Sequence, residues 1–183
     1  CIGALVARNA ERLPDHVAYS CEGTRITWRG FNDLTNRYAN AFLARGIQPG
    51  DTVSVMMENR IDYLAVIFGL NKVGATAALL NTNLTGRPLE HCIATTNSTA
   101  CVVGAEKLEN IEGVRADLSL GAGQAYLFVA DGGTASPPDW AQDFSTDVAV
   151  AATTEPAITA SLTLGTTAFY IFTSGTTGMP KAA

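Results

Sequence analysis

From residue 49 to residue 131 the chain alternates two kinds of pattern, and that alternation restricts the fold more than any other feature. The turn Pro49-Gly50-Asp51 leads into VSVMM, a continuous apolar run of the kind a strand buried on both faces uses. Residues 60–73 follow with helical spacing, placing Ile61, Leu64, Ile67 or Phe68, and Val73 on one face, and Gly74 supplies a stop. ATAALL then reads as a strand. A helix is expected from about Pro88, well placed in a first turn, to Thr96, and ACVVGA is a second buried strand. One or two helices are expected over residues 106–120, and AYLFVAD is a further strand. Such β and α units in alternation predict an α/β fold with a mostly parallel sheet flanked by helices.

Ahead of this region, Ile2, Leu5 and Val6 fit a short helix ending near Leu13-Pro14. VAYSCEGTRITW reads as an N-terminal hairpin turning at Glu22-Gly23. Thr27 is a plausible N-cap for a helix carrying Phe31, Leu34, Tyr38, Ala41 and Phe42 on one face, and Gly46 ends it. Residues 132–156 lack periodicity and read as a loop-rich surface connection. AFYIF is a last strand, with TSGTTGMPK as the loop at its carboxyl end.

Composition excludes several classes of function. Twelve basic against seventeen acidic residues give a net charge of −5, so no basic stripe is available to neutralise nucleic-acid phosphates. Cys1, Cys21, Cys92 and Cys101 form no CxxC pair, and with only His16 and His91 a metal site is not expected. The cysteines read as small apolar residues of a reducing, cytoplasmic compartment. No apolar run is long enough to span a membrane.

The chemistry concentrates in TSGTTGMPK. Thr173, Ser174, Thr176 and Thr177 are hydroxyl donors, Gly175 and Gly178 let backbone N–H groups approach an anion, and Lys181 adds a positive charge. A loop placed after a buried strand lies where open α/β sheets bind ligands. Two better-known phosphate motifs fail. A P-loop needs Lys followed by Ser or Thr, yet Ala182 follows Lys181 and Pro180, lacking an N–H, precedes it. GAGQAY from Gly121 lacks the third glycine of a dinucleotide fingerprint. His91 in LEHC has no nucleophile or carboxylate pattern near it and reads as helix-face packing. Asp62 reads as a solvated first-turn acid, Trp28 as packing, and Glu106 and Asp131 as strand-end acids with no assigned role.

TSGTTGMPK closely resembles the signature of adenylate-forming enzymes, the acyl-CoA synthetases, luciferases and peptide-synthetase adenylation domains. Residues 17–105 are similar to the same family's opening region, in the same order. LLNTNLTGRPLEHC (79–92) and the ending YIFTSGTTGMPKAA (170–183) resemble the branch of fatty-acid transport proteins and very-long-chain acyl-CoA synthetases. The resemblance implies that a carboxylate attacks the α-phosphate of Mg-ATP to give an acyl-adenylate and pyrophosphate, and that the thiol of coenzyme A then displaces AMP. It implies ATP, Mg2+ and coenzyme A as cofactors or co-substrates and a fatty acid as substrate. Thr173, Ser174, Gly175, Thr176, Thr177, Gly178 and Lys181 would hold the leaving pyrophosphate. No catalytic residue and no metal ligand is expected among these 183 residues. Residues 1–183 are then the incomplete N-terminal part of the synthetase large domain, with 170–183 its phosphate-binding region and the C-terminal lid domain absent. Such a piece is expected to be inactive alone and to self-associate through an uncovered sheet face. Peripheral membrane association of the whole protein stays open. So do two other readings, an adenylation enzyme for an aryl or amino acid, and a non-enzymatic α/β module binding nucleotide or a partner.

Overall fold

The computed structural model describes residues 1–120, 125–173 and 179–183. They form two compact units. One comprises Cys1–Gly50, Asn59–Thr76 and Thr146–Ala168; the other comprises Asp51–Glu58, Ala77–Ser145 and Phe169–Ala183.

The first unit is helical with a small hairpin. α1 (Ile2–Arg12) is followed by β1 (Val17–Cys21) and β2 (Thr24–Thr27), paired antiparallel. Glu22 and Gly23 both have positive φ, 49° and 83°, the mirror-image turn whose twist suits a two-residue hairpin. α2 (Trp28–Ala44) begins at Thr27, whose hydroxyl accepts from the Gly30 N–H at 3.2 Å. Phe31, Tyr38 and Phe42 on its inner face are buried, and the helix stops at Gly46 with φ 83°. α3 (Ile61–Lys72) packs on α2 closely because Gly69 has no side chain. A Cβ there would stand 2.8 Å from the Cβ of Tyr38. Phe31 joins the hairpin to α3, its ring 4.7 Å from Tyr19 and 5.7 Å from Phe68, both edge-on.

Within the same unit, polar side chains of α2 and α3 hold down residues 149–155. Asn36 Nδ2 donates to Thr153 O at 2.8 Å, Asn40 Nδ2 to Ala152 O and Thr154 O at 2.9 Å each, and Arg37 to Ala149 O at 2.6 Å. Lys72, fully buried, donates to Asn32 Oδ1 at 2.7 Å, Asn36 Oδ1 at 2.6 Å and Glu155 Oε2 at 2.7 Å.

The second unit is a seven-stranded sheet. Its strands are β3 (Thr52–Met56), β4 (Thr76–Leu79), β5 (Ala100–Gly104), β6 (Tyr126–Val129), β7 (Gln142–Asp143), β8 (Phe169–Thr173) and β9 (Lys181–Ala182). Their spatial order is β7-β6-β5-β3-β4-β8-β9. β3 with β5, β5 with β6, β6 with β7 and β4 with β8 are parallel; β9 runs antiparallel to β8. α4 (Gly86–Thr95) and α5 (Leu108–Glu112) supply Leu89, Cys92, Ile93 and Ile111 to an apolar cluster with Met56, Cys101 and Val103. Every residue of β5 is buried, which accounts for its unbroken apolar sequence. The one hydroxyl in the middle of β3, Ser54, is satisfied by Ser98 at 2.8 Å, which meets Thr96 at 2.9 Å.

The predicted α/β architecture, mostly parallel sheet and N-terminal hairpin are all present. The connection over 132–156 is more ordered than its sequence suggests, since it contains β7 and α6 (Phe144–Val150). Two residues of pairing and seven of helix are too short to leave a periodic signal.

Candidate functional site

β3 lies at the centre of the sheet. The chain steps from it to β4 on one side and then to β5 on the other, which makes a switch point. Ligands of open α/β sheets sit outside the carboxyl ends of the strands at such a point. β8 pairs with β4, Ala77 opposite Phe169 and Leu79 opposite Ile171, so the carboxyl end of β8 opens onto this side of the sheet.

The signature loop begins at the last residue of β8 and returns as β9. Thr173 stands opposite Lys181 in the antiparallel ladder, and Phe172 opposite Ala182. Ile171 and Ala183 exchange both backbone bonds, at 3.1 and 2.9 Å. Directly opposed side chains project to the same face, so the side chains of Thr173 and Lys181 leave the hairpin on one face, both exposed. Phe172, on the other face, packs against the apolar cluster under α4. The hairpin therefore has an anchored face and an open face that offers a hydroxyl and a cation. That pair suits an anionic, oxygen-rich group. Ser174, Gly175, Thr176, Thr177 and Gly178 lie outside the described residues.

Pro180 closes the loop. Its carbonyl oxygen is 3.2 Å from Nε2 of His91, on α4. Helix-face packing accounts for only part of His91: the ring is half-buried and carries this hydrogen bond. Only a residue 89 positions away in sequence reveals the contact, so no local pattern could have found it.

The strand-end acids accept hydrogen bonds from nearby backbone. Glu106 Oε1 accepts from the Glu58 N–H at 2.8 Å, joining the ends of β5 and β3. Glu58 itself pairs with Lys107, whose hydrogen bond holds the Glu58 carboxyl below the usual carboxylate range. Asp131 Oδ1 accepts from Gly133 N at 2.8 Å and shapes a turn. Asp62, read as a solvated acid, accepts from the buried Tyr38 hydroxyl at 2.7 Å. Burial first, and then this carboxylate, pushes the Tyr38 phenol well above its ordinary value. The apolar face that Tyr38 shares on α2 gives no sign of the acceptor that a buried phenol needs. Trp28 packs as expected, 5.9 Å from Tyr19. Among the described residues no group of three or more His, Cys, Asp and Glu could hold a metal ion.

A family model described as AMP-binding enzyme matches residues 6–183. The chain belongs to the AMP-binding enzyme family. Curated relatives within reach include long-chain fatty acid transport protein 1 of Rattus norvegicus, 35% identical over 178 residues, covering 95% of this chain and 27% of that protein. The medium/long-chain-fatty-acid–CoA ligase FadD6 of Mycobacterium tuberculosis is 32% identical, covering 100% of this chain and 28% of the relative. The inhibitor-bound crystal structure of the N-terminal domain of FACL13 from Mycobacterium tuberculosis superposes with a TM-score of 0.83 at 27% identity. It covers 99% of this chain and 43% of its own. The chain thus spans about a quarter of the length of the curated relatives it matches. The resemblance read from the signature and the opening region is borne out, as is the branch it pointed to.

Proposed function

We propose that the protein containing these residues is an ATP-dependent fatty acid–CoA ligase of the AMP-forming type, acting on long-chain acids. The carrying observation is the juxtaposition of Thr173 and Lys181 across the hairpin at the carboxyl end of β8, in a member of the AMP-binding family. Its similarity to a long-chain fatty acid transport protein and a medium/long-chain-fatty-acid–CoA ligase supports the substrate class.

The substrate carboxylate attacks the α-phosphorus of ATP and the bond to the bridging oxygen breaks, giving acyl-adenylate and pyrophosphate. The thiol of coenzyme A, losing its proton, then attacks the acyl carbon and AMP leaves. Reaction at phosphorus requires positioning and charge neutralisation more than covalent participation by the protein. Lys181 supplies charge to the departing pyrophosphate, and Thr173 supplies a hydroxyl donor beside it. Ser174, Gly175, Thr176, Thr177 and Gly178 complete the loop as further hydroxyl and backbone donors. Magnesium would arrive with the nucleotide. The described residues offer no cluster that fits it, and no step here depends on it. Peripheral membrane association belongs to the same proposal; no helix among the described residues is long and apolar enough to cross a membrane. Self-association is supported by Phe169 and Ile171, exposed on one face of β8, and sedimentation tests it.

The test is ATP–pyrophosphate exchange by the complete gene product and its Lys181→Ala variant, across fatty, aryl and amino acids. Exchange stimulated by long-chain acids and reduced roughly 10- to 200-fold in the variant is expected, the loss of one charged hydrogen bond of about 1.5–3 kcal/mol. Exchange with aryl or amino acids alone discards the lipid assignment. No exchange with any acid, from folded protein, discards the ligase.

A further inference from the structure

The geometry points to His91 as the positioning residue of the phosphate loop, acting through the Pro180 carbonyl on the placement of Lys181; this inference rests on the ligase reading above. Ile171 and Ala183 form a hydrogen-bonded pair of the β8–β9 ladder, so by alternation Thr173 and Lys181 form the next, and the carbonyl of Pro180 before them points away from β8. A backbone carbonyl only accepts. The bond at 3.2 Å therefore requires His91 to present Nε2–H. Thr95 Oγ1 lies 3.4 Å from the same nitrogen, one helical turn on, as a second and longer acceptor of the same N–H.

His91 is itself rigidly held. Its neighbours Leu89, Cys92 and Ile93 on α4 are buried in the apolar cluster. The first end of the loop is fixed differently, by parallel pairing of β8 with β4. Thus the chain enters the loop from a strand paired to β4 and leaves it at Pro180, whose carbonyl meets a side chain of α4. Lys181 follows that carbonyl by a single residue and pairs with Thr173, so the ladder and the His91 contact together place the cation's backbone. Met179, one residue before the pin, lines an open cavity of about 780 Å³ with Arg87, Glu90 and His91. The pin therefore sits at the wall of a water-accessible space.

The experiment measures kcat and KM for MgATP in ATP–pyrophosphate exchange by the complete gene product. It compares wild type, His91→Ala, His91→Gln, Lys181→Ala and the double variant His91→Ala/Lys181→Ala. Loss of one neutral hydrogen bond corresponds to a change of roughly two- to tenfold. His91→Ala is expected to lower kcat about fivefold with KM for MgATP changed less than twofold, because the loop is needed where the pyrophosphate leaves. His91→Gln, whose amide N–H reaches the same place, is expected to recover most of that loss. The double variant is expected to be within about twofold of Lys181→Ala, because His91 acts through the lysine. Hydrogen exchange of the peptide covering 179–183 is expected to speed up in His91→Ala while peptides of β3 and β5 do not change.

Losses that multiply in the double variant, a glutamine variant as impaired as alanine, or unchanged exchange in 179–183 each overturn the assignment. A wild type with no pyrophosphate exchange defeats the ligase reading instead. The hydrogen-exchange comparison, which needs no activity, still decides whether His91 holds the hairpin.

Discussion

Glu155→Ala should destabilise the first unit more than Lys72→Met does, although the two residues are partners in one ion pair. The Lys72 ammonium is completely buried and uses all three of its N–H donors, on Asn32, Asn36 and Glu155. Burial pulls its pKa below the ordinary lysine range, and the Glu155 hydrogen bond only partly offsets that. The direction shows that the desolvation of this ammonium exceeds what its partner returns. Removing Glu155 leaves a buried cation without its counter-charge, which costs about 3–5 kcal/mol in general. Glu155 is 35% exposed, so water can replace the lost acceptor from that side, and about 3 kcal/mol is the better figure. Removing the ammonium instead leaves Asn36 Oδ1 buried without a donor, at about 1–3 kcal/mol. Met fills the stem's volume, the desolvation vanishes, and Glu155 relaxes into water, so the net cost is about 1 kcal/mol.

Amide hydrogen exchange of the segment 151–162 reads these differences locally, at about tenfold in protection per 1.4 kcal/mol. Thr159 is a convenient reporter. Its N–H bonds Pro156 O at 3.0 Å and its hydroxyl bonds Lys72 O at 2.8 Å. Glu155→Ala is expected to lose roughly 100-fold in protection and Lys72→Met roughly fivefold. The double variant should be no worse than Lys72→Met, since no cation then remains to be orphaned. Equal losses in the two single variants, or losses that multiply in the double, would refute the claim that desolvation dominates at Lys72.

Other consequences are open to simpler measurement. Gly74 has φ 78°, and a Cβ there would lie 2.8 Å from Leu162 Cδ2 and 3.2 Å from Pro49 Cβ, whereas Gly46, φ 83°, has nothing within 4 Å. Gly74→Ala should therefore lower thermal stability by about 1–2 kcal/mol more than Gly46→Ala; equal melting shifts would show that the close contacts give way freely. Burial pushes the Cys101 thiol up to about 12 and Cys92 to about 11. At pH 8 only roughly 1 in 10,000 Cys101 thiols is ionised, so peptide mapping after iodoacetamide treatment of native protein should find Cys101 unmodified while the half-buried Cys21 is labelled. Labelling of Cys101 at the same rate would mean that β5 opens readily. Thr27→Ala should cost about 1 kcal/mol through the lost cap on Gly30, and full retention of stability would show the cap to be idle.

The parallel core was legible because both of its signals are local. Buried strands such as β5 must be apolar throughout, and helices such as α2 must repeat their apolar positions every three or four residues. Punctuation was legible for the same reason: Thr27, Gly46 and Gly74 act on their own backbone. What the chain conceals is polar pairing at long range. In Lys72 with Glu155, 83 residues apart, and Tyr38 with Asp62, 24 apart, the lysine, tyrosine and aspartate look like ordinary residues of their own helices and the glutamate like a loop acid. Their partners are chosen by the fold, not by spacing, so a buried lysine reads as a solvated last-turn cation until the tertiary contacts are known.

The phosphate loop lies between these cases, and Pro180 shows where the boundary falls. In the sequence Pro180 serves only as evidence against a P-loop, because it lacks the N–H that such a loop aims at phosphate. In the fold Pro180 immediately precedes Lys181, which stands in register with Thr173, and its carbonyl meets the side chain of His91 from another element. The cation is delivered from a strand, opposite a threonine, and does not sit at the start of a helix. The geometry of delivery then depends on α4, which is why a histidine with no chemical neighbours in the sequence sits at the point where the loop is fixed.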